Sequence, residues 1–151
     1  AAAALGAGCT PEGVAAGLST AALSPWRMDL QRTASGARVL NDAYNANPAS
    51  VTAALDSLAA LPAARRTAVL GVMAELGPSS DDEHAAVGRR AAELGIRVIA
   101  VAAPAYGGEQ VADLDEALAA LGPLDGDDAV LVKGSRVAGL ERLAERLLEG
   151  A

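Results

Sequence analysis

Phenylalanine is absent from the 151 residues, and the aromatic complement is one Trp and two Tyr. The core must therefore be lined by Leu, Val and Ile, with close helix-to-sheet contacts made through the abundant alanine. There is a single cysteine, Cys9, which excludes an internal disulfide framework and fits a reducing, cytoplasmic compartment. It has no evident histidine partner, so nucleophilic catalysis through it is not expected. No run approaches the ~20 apolar residues of a membrane span, and Ala1–Ala4 lacks the basic start of a signal peptide. Basic residues are also short: Lys and Arg total 12 against 19 Asp and Glu, a formal charge of −7. That balance argues against nonspecific nucleic-acid binding, although it leaves room for a locally basic pocket. The chain begins without methionine, in a stretch that already reads as helix, and is expected to be part of something longer.

What is present alternates. Thr10-Pro11-Glu12 starts a short helix, with a capping threonine and proline at its first position. Gly6-Ala7-Gly8 before it follows no strand and lacks a third glycine, so it is not a dinucleotide fingerprint. After Ser24-Pro25, residues 27–33 and 38–43 read as two strands joined by a Ser35-Gly36 turn, a hairpin. Helices are expected over 49–61, 80–94, 113–121 and 136–148, and strands over 67–73, 97–102 and 128–132. Inward positions are Val51, Leu55 and Leu58 in the first of these helices, and Val137, Leu140, Leu143 and Leu147 in the last. Ser80-Asp81-Asp82-Glu83 reads as a capping box, and Gly95 as a stop. Apolar strands each followed by a helix require a parallel sheet covered on both faces. The expected fold is α/β: a Rossmann-like open, mostly parallel sheet with helices on both faces and one antiparallel edge strand.

Ligands of such sheets sit beyond the carboxyl ends of the strands, where three polar loops fall. The first is Asn41-Asp42-Ala43-Tyr44-Asn45-Ala46-Asn47-Pro48, in which Asn47 suits a helix cap and Pro48 the first helical position. The second runs from Met73 to Ser80. The third is Lys133-Gly134-Ser135-Arg136, either a carboxylate or phosphate site or a tight turn with solvated cations. Cations at a helix N-terminus oppose its dipole, which favours the binding reading. It is not a Walker A loop, since no G-x-x-x-x-G-K-[ST] occurs in the chain. His84, the one histidine, follows three consecutive acids that point in different directions on a helix and cannot converge on one ion. No metal site is assigned. A hydrogen-bonding role for His84 near Glu75 competes with plain exposure.

Together these residues resemble the C-terminal domain of the Mur ligases, and within that family its D-alanyl-D-alanine-adding branch. Four strings carry the resemblance in order: Arg27-Met28-Asp29, Asp42 through Pro48, Val69-Leu70-Gly71-Val72-Met73-Ala74-Glu75-Leu76-Gly77 with His84 after it, and Val132-Lys133-Gly134-Ser135-Arg136. The family's pattern often has a second aspartate where Asn41 stands, serine at Ala43 and aspartate at Val72. The last departure removes a carboxylate from the second loop.

The resemblance implies an ATP-dependent ligase of peptidoglycan synthesis, which phosphorylates the carboxylate of UDP-N-acetylmuramoyl-tripeptide for attack by the amine of D-alanyl-D-alanine. By carry-over, Arg27, Asp42 and Asn45 bind ATP, with Arg27 on its phosphates and Asp42 on its ribose. Tyr44 and Asn47 line the cleft, Lys133, Ser135 and Arg136 face substrate carboxylates, and Glu75 and His84 support. No catalytic residue is assigned within the chain. Residues 1–23 resemble the helical tail of the family's central domain, residues 24–151 the C-terminal domain, and a hinge is expected near Leu23–Trp26. ATP and Mg are held mainly by the central domain, which with the N-terminal domain is the expected protein partner. Two alternatives stand beside this: another Mur or folylpolyglutamate-type ligase domain, and a non-enzymatic nucleotide-binding module. An upstream G-K-[ST] loop would separate ligase from module. Asp42→Ala is expected to weaken ATP use with the fold intact.

Overall fold

A computed structural model describes residues 6–20 and 26–150. Helix α1 (Pro11–Thr20) begins as its sequence requires, with the Gly13 N–H donating to Thr10 Oγ1. The hinge expected at Leu23–Trp26 lies, apart from Trp26, outside the described residues. From there the chain builds β1 (Asp29–Arg32), β2 (Arg38–Asn41), α2 (Pro48–Ala60), β3 (Arg65–Leu70), α3 (Ser80–Glu93), β4 (Arg97–Val101), β5 (Glu109–Val111), α4 (Leu114–Leu121), β6 (Asp128–Lys133) and α5 (Glu141–Glu149).

The six strands form one sheet in the order β1-β2-β6-β3-β4-β5. β1 pairs antiparallel with β2, and every other pairing is parallel. This is the expected architecture: mostly parallel, with an antiparallel edge. Side chains of a strand alternate between faces, and the sequence uses both. Leu40, Ala68, Leu70, Ala100 and Leu131 face one layer with Val51, Leu55 and Leu58 of α2 and Val87 of α3. Val39, Val69, Ile99, Val130 and Val132 face the other, against Ala117 of α4 and Leu143 and Leu147 of α5. Fully buried alanines on both sides let helices approach the sheet closely, which is how a core without phenylalanine closes.

Three expectations change. The last helix starts at Glu141 rather than at position 136, because Arg136–Ala138 is a 3₁₀ turn ended by Gly139 at φ 63. Val137 consequently points outward and is 80% exposed, whereas Leu140, Leu143 and Leu147 are buried as expected. Ser80 is not a cap: a 3₁₀ turn over Gly77–Ser79 precedes it, Ser80 is already helical, and Ser79 makes no side-chain cap. The short edge strand β5 and the Pro104–Tyr106 turn before it occupy a stretch that the pattern left unassigned. Asn47 does cap α2, accepting from the Ser50 N–H while Ser50 Oγ accepts from the Asn47 N–H, with Pro48 at the first position.

At the amino ends of the strands, Arg65 makes a bidentate pair with Asp128 and also meets Asp125. Hydrogen bonding from the Arg65 guanidinium holds the Asp128 carboxyl below its ordinary range. A carboxyl with a lowered folded-state pKa stabilises the fold above its unfolded value, and that contribution is lost as pH falls through the lowered one. Asp128→Asn should therefore cost stability at neutral pH, with the gap to wild type closing below about pH 4, as read by urea midpoints across pH. Leu55, fully buried between α2 and the sheet, gives the core test: Leu55→Ala should cost about 2–5 kcal/mol in equilibrium urea unfolding.

Candidate functional site

The carboxyl ends of β2, β3 and β6 bring three loops together, and one hydroxyl joins them. Ser135 Oγ accepts from the Ala74 N–H at 2.8 Å and donates to the Ala46 carbonyl at 3.4 Å, while the Ser135 N–H donates to the Val72 carbonyl at 2.9 Å. Ser135 is buried, so its bonds organise the loops from within. The crossing is tight. A Cβ on Gly71 would lie 2.7 Å from that of Ala138, which is why the second loop can begin only with glycine.

His84 fixes the second loop from the α3 side. Its Nε2 accepts from the Met73 N–H at 2.9 Å and its Nδ1 lies 2.6 Å from the Ser80 carbonyl, which assigns the proton to Nδ1. The expected hydrogen-bonding role is present, with Met73 and Ser80 rather than Glu75 as partners. Tyr106 packs edge-on against His84, with ring centroids 4.6 Å apart, and donates its hydroxyl to the Gly71 carbonyl. Burial pushes the Tyr106 phenol well above its usual range, so it stays a donor. Glu75 adopts φ 66 and lies exposed on the wall of a cleft.

Lys133 ends β6 and is 2% exposed. Its ammonium donates to Asp42 Oδ2 at 2.5 Å and to the Asn45 carbonyl at 2.8 Å, while the other oxygen of Asp42 accepts from the Met28 N–H at 3.0 Å. The dipole argument for Lys133 and Arg136 does not hold, because no α-helix begins at either residue. The loop is a turn, and its lysine is an internal tie.

Above this tie lie two adjoining clefts that share Tyr44, Asn45 and Asn47 as a partition. One, of about 390 Å³, is bounded by Arg27, Asp42 and Lys133. The other, of about 470 Å³, is bounded by Glu75, Ser135 and Arg136. The oxygens of Asn45 and Asn47 accept the backbone N–H groups of Ala46 and Ser50, and both residues line the clefts. The Arg27 guanidinium lies 4.0 Å from the Tyr44 ring centre, and that of Arg136 lies 4.9 Å from Trp26 and 5.7 Å from Tyr44. Neither arginine is ion-paired among the described residues; Arg65, Arg90, Arg97 and Arg146 are, whereas Arg32, Arg38, Arg66 and Arg142 donate to backbone carbonyls. An arginine held in this way can meet phosphate or carboxylate.

All ten residues singled out from sequence fall at these loops or support them. Trp26 and Tyr106 were not among them. Trp26 had one available signal, its place beside Arg27, while Tyr106 lay in a stretch without pattern. A third cleft of about 320 Å³ opens beyond Val137, lined by Val72, Asp113 and Arg142. Among the described residues no group of three or more His, Cys, Asp or Glu is placed to hold a metal ion, and no helix is long and apolar enough to cross a membrane.

An α/β domain with its polar loops gathered at the strand ends is the general architecture of a ligand-binding open sheet, and the chain belongs to the family described as Mur ligase, glutamate ligase domain, whose profile matches residues 26–136. It is 38% identical to the UDP-N-acetylmuramoyl-tripeptide–D-alanyl-D-alanine ligase of Mycobacterium tuberculosis, over 98% of this chain and 36% of that protein. Against the Escherichia coli enzyme of the same name the identity is 37%, over 94% of this chain and 34% of that one. The crystal structure of MurF from Acinetobacter baumannii superposes with a TM-score of 0.82 at 32% identity, covering 97% of this chain and 35% of that one. The MurF ligase of Thermotoga maritima in complex with ADP shares the fold, with a TM-score of 0.84 at 24% identity over 98% of this chain and 36% of that one. The chain thus spans about a third of the length of the relatives it matches.

The Asp42–Lys133 pair revises one expectation. Removing Asp42 leaves a buried ammonium without its counter-charge, so Asp42→Ala should not leave the fold intact. It should cost about 3–5 kcal/mol in urea unfolding, and Asp42→Ala/Lys133→Met should recover much of that loss.

Proposed function

We propose that the chain is the C-terminal domain of an ATP-dependent amide ligase that adds D-alanyl-D-alanine to UDP-N-acetylmuramoyl-tripeptide during peptidoglycan precursor synthesis in the cytoplasm. The observation that carries the reading is the pair of clefts at the strand ends, flanked by two arginines whose charge no carboxylate cancels. In this reaction the tripeptide carboxylate takes the terminal phosphoryl group of ATP, giving ADP and an acyl phosphate. The dipeptide amine then attacks the acyl carbon, phosphate leaves, and the nitrogen gives up a proton.

The residues divide between the clefts. Arg27 meets the phosphates of ATP, and Asp42, with one edge on the cleft and its side chain held by Lys133, accepts from the ribose hydroxyls. Asn45 offers its free amide N–H groups to the nucleotide. Tyr44 and Asn47 form the wall between nucleotide and peptide. Arg136 faces the peptide carboxylates or the incoming dipeptide, Ser135 holds the loop that presents it, and Lys133 acts from behind Asp42. Glu75 and His84 support the second loop. Magnesium, which in such a reaction screens the phosphates of ATP, is assigned to residues outside this chain.

Residues 1–23 are assigned to the tail of a central domain and 24–151 to the C-terminal domain. The partners are then the enzyme's own N-terminal and central domains. The sequence carries no phosphate-binding loop of the G-x-x-x-x-G-K-[ST] type, so these residues supply one side of the nucleotide site. The 151-residue chain alone should release no phosphate from ATP in the presence of tripeptide and dipeptide. Turnover by the isolated chain would show that it needs no other domain.

A further inference from the structure

Trp26 stacks on Arg136, which lines one of these clefts, and has no role in the arrangement just described. Its indole lies under the Arg136 guanidinium at 4.9 Å, and the same guanidinium lies 5.7 Å from Tyr44, whose ring also carries Arg27 at 4.0 Å. The order in space is therefore Trp26, Arg136, Tyr44, Arg27: rings and cations alternate. Aromatic faces attract a guanidinium without cancelling its charge.

The backbone on either side of Arg27 is equally unusual. Trp26 has φ 60 and Met28 has φ 49, left-handed values that are rare for bulky side chains. Both are pinned by the first loop. The Tyr44 N–H donates to the Trp26 carbonyl at 3.1 Å, and the Met28 N–H donates to Asp42 Oδ1 at 3.0 Å. A conformation of this kind persists only where its surroundings over-determine it. Here it turns Trp26 toward Arg136 and Arg27 toward Tyr44, across segments that are far apart in sequence.

We infer that Trp26 is a positioning residue: its indole holds the Arg136 guanidinium, and its pinned backbone aims Arg27, so that two uncompensated cations are preset for an anionic group of phosphate or carboxylate type. The kinetic arm of the test rests on the proposed ligase activity; the spectroscopic arm does not.

In the full-length ligase, Trp26→Ala should lower kcat/KM about three- to tenfold, and Trp26→Phe should restore most of the loss, since a phenyl face also attracts a guanidinium. The double variant Trp26→Ala/Arg136→Ala should be no slower than Arg136→Ala, because the indole acts through that arginine. A rise confined to the KM for ATP assigns the anion as phosphate; a rise confined to the KM of tripeptide or dipeptide assigns it as carboxylate. Unaltered kinetics in Trp26→Ala, or losses that multiply in the double variant, would overturn the inference while the ligase reading stands.

Trp26 is the single tryptophan of the chain, so its fluorescence reads the contact directly. Arg136→Met should increase acrylamide quenching, because the indole loses the cover of the guanidinium. Inorganic pyrophosphate or D-alanyl-D-alanine should shift the emission of the wild-type chain but not that of Arg136→Met. A shift that persists in the variant, or quenching equal to wild type, would overturn the contact. The expected shifts in the chain, together with no ligase turnover by the full-length protein, would support Trp26 and overturn the proposed reaction instead.

Discussion

The site depends on one buried ion pair. Lys133 ends β6 and Asp42 follows β2, and these strands are neighbours in the sheet, so their carboxyl ends carry the two charges side by side. Removing two ions from water is costly, and their attraction offsets that cost only when the remaining donors and acceptors are also satisfied. Here they are: the ammonium also reaches the Asn45 carbonyl, and the second carboxylate oxygen takes the Met28 N–H. The pair consequently couples three segments. It draws the first loop down onto the end of β6, and it pins the residue that follows Arg27. A lysine that from its motif alone belongs to the ligand acts first on the shape of the cleft.

The neighbouring loops follow the same rule of closing polar groups inward so that a few remain outward. Ser135 spends its hydroxyl and its N–H on the first two loops, and His84 spends both ring nitrogens on the second. Asn45 and Asn47 turn their oxygens to their own backbone. What is left at the clefts is a short set: the side chains of Arg27, Arg136, Asn45, Asn47, Tyr44 and Glu75, and the edge of Asp42. Backbone orders these loops, so their side chains are preset rather than recruited, which lowers the entropy lost on binding.

Much of this was legible in the sequence. The alternation of apolar strands with amphipathic helices specified the sheet and its two layers, and Asn47-Pro48 and Gly95 marked real helix ends. The three polar loops were placed correctly because loops at the carboxyl ends of parallel strands are forced together by topology. Failures have local physical causes. Val137 fits the helical spacing of Leu140 and Leu143, but Gly139 takes a left-handed conformation that breaks the helix between them. Ser80 fits a capping box, but the turn before it already begins the helical path. Strand β5 has three residues, too few for a period to register. The Lys133–Asp42 tie and the Trp26 stack join positions far apart in the chain, and no local pattern records such a contact.

The net charge of −7 sharpens why aromatics surround the two cleft arginines. Some arginines of this acidic surface meet a carboxylate, as Arg65, Arg90, Arg97 and Arg146 do, and others meet backbone carbonyls, as Arg32, Arg38, Arg66 and Arg142 do. A carboxylate would order Arg27 or Arg136 equally well, but an anionic ligand would then have to displace it. An aromatic face orders the planar guanidinium through its quadrupole and leaves the N–H groups at its edge free to donate. A chain with three aromatic residues outside histidine places two of them, Trp26 and Tyr44, against these two cations, and the third, Tyr106, behind the loop opposite. Scarcity makes that distribution informative. The core is closed with Leu, Val, Ile and Ala, and two of the three rings serve the clefts directly. In an acidic domain this is a physically economical way to keep positive charge available for an anion.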